Sequence, residues 1–98
     1  MLTGKQRAAL RAMANTLTPI FQIGKAGITE NVVEQLDLAI EARELIKITV
    51  LESANLSARE AGDELAKALR AEPVQSIGRK VVIYRRNREK PTMELPKK

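Results

Sequence analysis

Two glycines three residues apart, Gly24 and Gly27, enclose Lys25 and Ala26 in the segment Ile20-Phe21-Gln22-Ile23-Gly24-Lys25-Ala26-Gly27-Ile28-Thr29. Glycine has no Cβ, so its backbone reaches positive φ and approaches other surfaces closely. The apolar run before the turn reads as a strand, and the residues after it open a helix. A helix start carries unpaired N–H groups and the positive end of the macrodipole, which favour an anion. Lys25 places a cation at the tip. Such a turn suits a sugar-phosphate backbone, although a glycine pair equally serves as plain punctuation between strand and helix. Glu30 suits the macrodipole but repels a phosphate set too close to it.

Other chemistry is thinly represented. The chain has no histidine and no cysteine, which removes the usual general base, the commonest metal ligands and any disulfide framework. Carboxylates are plentiful, but none stands with a partner base in a readable motif. The expectation is a protein that is not an enzyme and holds no cofactor or metal.

Charge is distributed unevenly. The net of +5 divides into +4 over residues 1–29, −5 over 30–72 and +6 over 73–98. A fold that brought both ends together would present a one-sided basic surface, the footprint of a polyanion binder. The cationic groups are Lys5, Arg7 and Arg11, then Lys25, then Arg79 and Lys80, then Arg85, Arg86 and Arg88. No acid accompanies Lys5, Arg7 and Arg11 to form the i,i+4 pairs of an ordinary solvated helix.

These groups need elements to position them. Thr3-Gly4-Lys5-Gln6 is a capping box that starts a first helix near residue 4, with Leu10, Met13 and Leu17 as its apolar line. Pro19 to Ile23 reads as a strand. Thr29 caps a second helix that buries Ile28, Val32, Leu36, Ala39 and Ile40 and turns Glu30, Glu34, Asp37 and Glu41 to water. In Glu44 to Leu51, Ile46, Ile48 and Val50 alternate with Lys47 and Thr49, the clearest strand in the chain. Ser57-Ala58-Arg59-Glu60 is a second capping box, for a helix ending before Pro73. Val74 to Ile77 and Val81 to Tyr84 are strands joined through Gly78-Arg79-Lys80.

The order is α-β-α-β-α-β-β. Strand-helix-strand units call for parallel neighbours, and the last hairpin adds an antiparallel strand. An α/β (α+β) fold follows, with one four-stranded mixed sheet packed by three helices. The 98 residues with 44% apolar content suit a single domain, with residues 87–98 a loosely held basic tail. No run approaches the ~18–20 apolar residues that span a bilayer. The first eleven residues lack the apolar stretch of a signal peptide. A cytoplasmic protein without a membrane partner is expected.

The whole pattern resembles the CRM domain family, in particular its small single-domain bacterial members of the YhbY type. The matching residues are Leu2-Thr3 with Lys5-Gln6, then Leu17 and Pro19 ahead of Ile23-Gly24-Lys25-Ala26-Gly27-Ile28-Thr29. Glu44-Leu45-Ile46-Lys47-Ile48, Val74-Gln75, Ile77-Gly78-Arg79, Tyr84-Arg85-Arg86 and Leu95-Pro96-Lys97 follow in order. The resemblance implies an RNA-binding domain similar in layout to the carboxy-terminal domain of bacterial translation initiation factor three. It implies a partner in ribosomal RNA, on the precursor of the large (50S) ribosomal subunit, whose assembly it assists, with the glycine loop and first helix as the RNA-contacting surface.

The RNA-binding candidates are therefore Lys5, Arg7, Arg11, Gly24, Lys25, Ala26, Gly27, Arg79, Lys80, Arg85 and Arg86. For Arg79 and Lys80, charge at a hairpin for solubility is an equal reading. Phe21 and Tyr84 are the only aromatic residues, so base stacking has little to work with and recognition leans on backbone and shape. The acidic helices read as a solvated face turned from RNA, and the protein as a monomer. Two rival functions remain: a protein-interaction module recruited to ribosomes through its basic tail, and a binder of intron or other structured RNA.

Overall fold

The computed structural model describes residues 2–87; the tail expected over 87–98 lies, apart from Asn87, outside the described residues. Side-chain caps fix the helix starts. The Thr3 hydroxyl accepts from the Gln6 N–H at 3.1 Å and the Gln6 side chain accepts from the Thr3 N–H at 3.0 Å, opening helix α1, Gly4–Ala14. Thr29 caps α2, Glu30–Arg43, through the Val32 N–H. Ser57 and Glu60 form the reciprocal box of α3, Ala58–Leu69. Each such cap satisfies donors the helix itself leaves open. The Ser57 N–H, aided by the Ser57 hydroxyl, holds the Glu60 carboxyl below its ordinary pKa.

Strands β1 (Phe21–Ile23), β2 (Leu45–Val50), β3 (Glu72–Ile77) and β4 (Lys80–Tyr84) form one sheet in the order β1-β2-β4-β3. β1 and β2 are parallel neighbours, as a strand-helix-strand unit requires. The second unit departs from that rule. β2 and β3 run the same way but do not touch, because β4 folds back between them and pairs antiparallel with both. The strands' composition explains this. Val81 to Tyr84 is a continuous apolar run and all four residues are buried, as a central strand covered on both faces demands. β3 contains Pro73 and a register shift between Pro73 and Gln75, features that edge strands tolerate.

Alternation along the strands creates two unlike faces. Ile23, Ile46, Ile48, Val50, Val81 and Ile83 point to one side, where they pack with Leu36 and Ile40 of α2 and Ala61, Leu65 and Leu69 of α3. Leu45, Val82 and Tyr84, with Val74, point to the other, where Leu10 and Ala14 of α1 cover them. α1 thus lies alone on its face and covers the end of the sheet that holds Leu45 and Tyr84.

Burial, reinforced by the negative charge of Glu44 and opposed by Arg86, raises the Tyr84 pKa. A raised phenol contributes stability that is fully present below the unfolded value of about 10 and is lost as pH rises through the higher folded value. The urea midpoint of the protein is expected to fall above about pH 10. It should fall less in Tyr84→Phe, and equal falls in both proteins would contradict the assignment.

Candidate nucleic-acid interface

Three loops meet at one end of the sheet. β1 and β2 are parallel, so Gly24 follows β1 at the same end where Leu51 follows β2, and the β3–β4 turn at Gly78-Arg79 lies there too. The glycine turn closes through the Gly27 N–H to the Gly24 carbonyl at 2.9 Å, which leaves Lys25 and Ala26 exposed at its corner. The two glycines do different work. Gly27 has φ +73°, which side chains resist. A Cβ on Gly24 would sit 3.7 Å from Leu51 Cδ1 and 3.8 Å from Ser53 Oγ, ordinary contact distances. Backbone geometry therefore selects glycine at position 27 alone.

Acidic side chains surround the helix start beyond the turn. Ile28, Thr29 and Val33 border a groove rimmed by Glu30, Glu34 and Glu64. Three carboxylates there offset the positive end of the macrodipole and repel a phosphate. The cationic corner, Lys25, stands apart from them on the turn itself.

Arg79 spends its guanidinium on the protein. Its Nε donates to the Val50 carbonyl at 2.7 Å, and its Nη2 donates to Leu51 and Leu56 at 2.8 and 3.0 Å. Its own carbonyl accepts from the Val50 N–H at 2.7 Å. These bonds tie the hairpin to the segment that carries the 3-10 turn Glu52–Ala54 and touches Gly24. Arg7 likewise bonds the Pro73 carbonyl and lies 3.7 Å from Glu72, which seats α1 on β3.

Arg85 sits at the opposite end of the sheet, beyond Tyr84. It reaches Asp37 Oδ1 at 2.6 Å, Glu41 Oε2 at 2.9 Å and the Leu69 carbonyl at 2.9 Å, fastening the end of β4 to α2 and α3. Buried Glu44, at φ 64°, completes this bolt: its carbonyl accepts from Arg85 N–H and its carboxylate from Asn87 N–H, both at 2.8 Å. Asp37 and Glu41, read from sequence as facing only water, are thus partners of Arg85. Arg86 is exposed at this same far end, and Lys5 is exposed on α1, turned about 140° from Leu10.

The two ends of the described segment do meet, with Leu2 and Gln6 beside Tyr84, Arg85 and Arg86, but about 15 Å of strand separates them from the glycine turn. Between that end and the turn lies a smaller set. Arg7, Arg11 and Asn15 form a row at i,i+4 spacing along α1, and Asn15 lines a recess with Lys47, Gln75, Ile77, Lys80 and Val82. Arg11, Lys25 and Lys80 are exposed. Lys47, which sequence reading treated only as the polar side of a strand, belongs to this set. Its alternation with Ile46 and Ile48 was the signal available.

Among the described residues no group of His, Cys, Asp and Glu is arranged to hold a metal, and no helix is long and apolar enough to cross a membrane.

Residues 2–85 match the family model of the CRS1 / YhbY (CRM) domain. The chain is 45% identical over 96 residues to "Probable RNA-binding protein YqeI" of Bacillus subtilis, covering 98% of this chain and 100% of that protein. It is 38% identical over 86 residues to "Probable RNA-binding protein MJ0652" of Methanocaldococcus jannaschii, covering 86% of this chain and 63% of that protein. The solution structure of hypothetical protein SAV1595 from Staphylococcus aureus superposes with a TM-score of 0.78 at 46% identity, over 98% of this chain and 100% of that one.

Two predictions separate residues the fold requires from those it does not. Gly27→Ala should cost about 1 kcal/mol and shift the amide resonances of the turn, whereas Gly24→Ala should leave the chemical-denaturation midpoint near that of the wild type. Arg85→Ala should cost about 1–2 kcal/mol through its lost bonds, while Arg86→Ala should be nearly neutral; equal midpoints for the two arginine variants would refute the bolt.

Proposed function

Because the chain belongs to the CRS1/YhbY (CRM) domain family, we propose that it is an RNA-binding protein whose target is ribosomal RNA on the precursor of the large subunit, and that it assists that particle's assembly. The observation that carries this reading is a set of exposed cations, Lys25 and Lys80 at one end of the sheet and Arg11 one helical turn before Asn15. Arg11, Lys25 and Lys80 have no ion pair or side-chain hydrogen bond among the described residues. The Arg7, Arg79 and Arg85 guanidinium groups, by contrast, are held by the fold. Cations left unpaired are the ones available to displace counterions from phosphate. The names of the Bacillus and Methanocaldococcus relatives support the same partner.

The mechanism is docking rather than catalysis. Lys25 rides on a turn whose exposed corner meets the backbone of one strand, and Arg11 and Lys80 set the direction in which that strand continues. With three or four phosphates neutralised, log K should fall against log salt with a slope of roughly −2 to −4. The double variant Lys25→Glu with Arg11→Glu should lower affinity for ribosomal RNA at least about tenfold at 0.1 M salt, with an unchanged circular dichroism spectrum. Wild-type affinity in that variant would remove the turn and helix from the interface. In-cell crosslinking followed by sequencing of the bound RNA tests the target. Reads concentrated in large-subunit ribosomal RNA support the assembly role, and reads concentrated in introns or other transcripts overturn it.

A further inference from the structure

α1 covers only half of its face of the sheet. On the other half, strand pairing lines up Gln22 of β1, Thr49 of β2, Lys80 of β4 and Ile77 of β3 in one row. Lys47 and Gln75 flank Val82 in the next row. Gln22, Lys47, Thr49, Gln75 and Lys80 make no side-chain hydrogen bond among the described residues. No carboxylate lines the recess that Asn15, Lys47, Gln75, Ile77, Lys80 and Val82 enclose. This is an open floor of donors, acceptors and two cations. Ile77, 64% exposed, is the apolar member of the row.

We propose that this floor seats an unpaired segment of RNA, extending the interface from the glycine turn across β2, β4 and β3. The inference rests on the RNA-binding reading above and adds which face and which form of RNA. Charge complementarity selects a polyanion: the floor carries Lys47 and Lys80, with no acid among the residues that line the recess. The size of the recess selects the strand state. At about 200 Å³ it is smaller than the roughly 300–1,000 Å³ of a drug-sized site. It admits one base or ribose rather than a helix, and a base becomes available to such a recess only when unpaired. Gln75, Thr49 and Asn15 offer both donors and acceptors, which suit base edges and 2′-hydroxyls. The carboxyl end of α1 also borders the recess at Asn15, and its partial negative charge favours base or ribose donors there over phosphate. Phosphates then lie toward Lys47, Lys80 and Lys25, and bases toward Asn15 and Ile77.

The test measures binding of the full chain to a fluorescent ten-nucleotide single-stranded RNA and to a blunt duplex of the same sequence, by anisotropy at several salt concentrations. Ile77→Asp places a carboxylate at an exposed position without opening the core, and Lys47→Gln removes one cation conservatively; thermal melting verifies that both fold. The expected results are preference for the single strand, a loss of about tenfold in Ile77→Asp, and a slope shallower by about 0.7 in Lys47→Gln. If the wild type binds both RNAs and Lys25→Glu weakens them while these two variants bind as wild type, the floor is excluded and the RNA-binding reading stands. Equal affinity for the duplex also overturns the proposal. If the wild type binds neither RNA, the functional reading fails together with it.

Discussion

Strand β2 has two faces, and the period of two along it governs the rest of the molecule. Ile46, Ile48 and Val50 must be buried, which commits one side of the sheet to α2 and α3. Leu45 on the opposite side requires cover as well, and α1 supplies it. Lys47 and Thr49 share that second side but ask for no apolar partner, so an eleven-residue helix is long enough. One face of the sheet is therefore a sealed core and the other is core at one end and polar floor at the other. A shift of one residue in register would bury Lys47 and expose Ile46 and Ile48, a cost no surface contact offsets.

Placement of β4 between β2 and β3 turns this alternation into a directed surface. It brings the Gly78-Arg79 turn beside the carboxyl ends of β1 and β2, where Arg79 closes the gap with bonds to three carbonyls. The same placement sends Arg85 to the far end, where it fastens α2 and α3 to the sheet. Arginines that look alike in sequence thus divide into fasteners and free charges. A planar guanidinium suits carbonyl and carboxylate forks, whereas Lys25 and Lys80, as compact point charges on flexible stems, remain in solvent.

Much of the fold was legible because local chemistry writes it. Thr3 with Gln6, and Ser57 with Glu60, announce helix starts within three residues, and the Ile46-Lys47-Ile48 alternation announces a half-polar strand. What was not legible depends on residues far apart in the chain. Arg7 meets Pro73 across 66 positions, and Arg85 meets Asp37 across 48. Nothing in the neighbourhood of an arginine states that its partner is a carbonyl on another element. The central position of β4 was readable in principle from the unbroken run Val81 to Tyr84, but the strand-helix-strand rule argued for β3 as the neighbour of β2. Of the proposed interface, the glycine turn and its lysine stand out as a local motif, whereas the row of Lys47, Thr49 and Gln75 exists only once three strands are paired.

An amide-resolved NMR titration of the full chain with single-stranded RNA tests the central claim, that one face and one end of the sheet meet the nucleic acid. Perturbations confined to Arg11 through Asn15, Gln22, Lys25 through Gly27, Lys47 through Thr49, and Gln75 through Lys80 are expected. Perturbations centred on α2 and α3, or on Arg70 and Arg86 at the other end of the sheet, would contradict it.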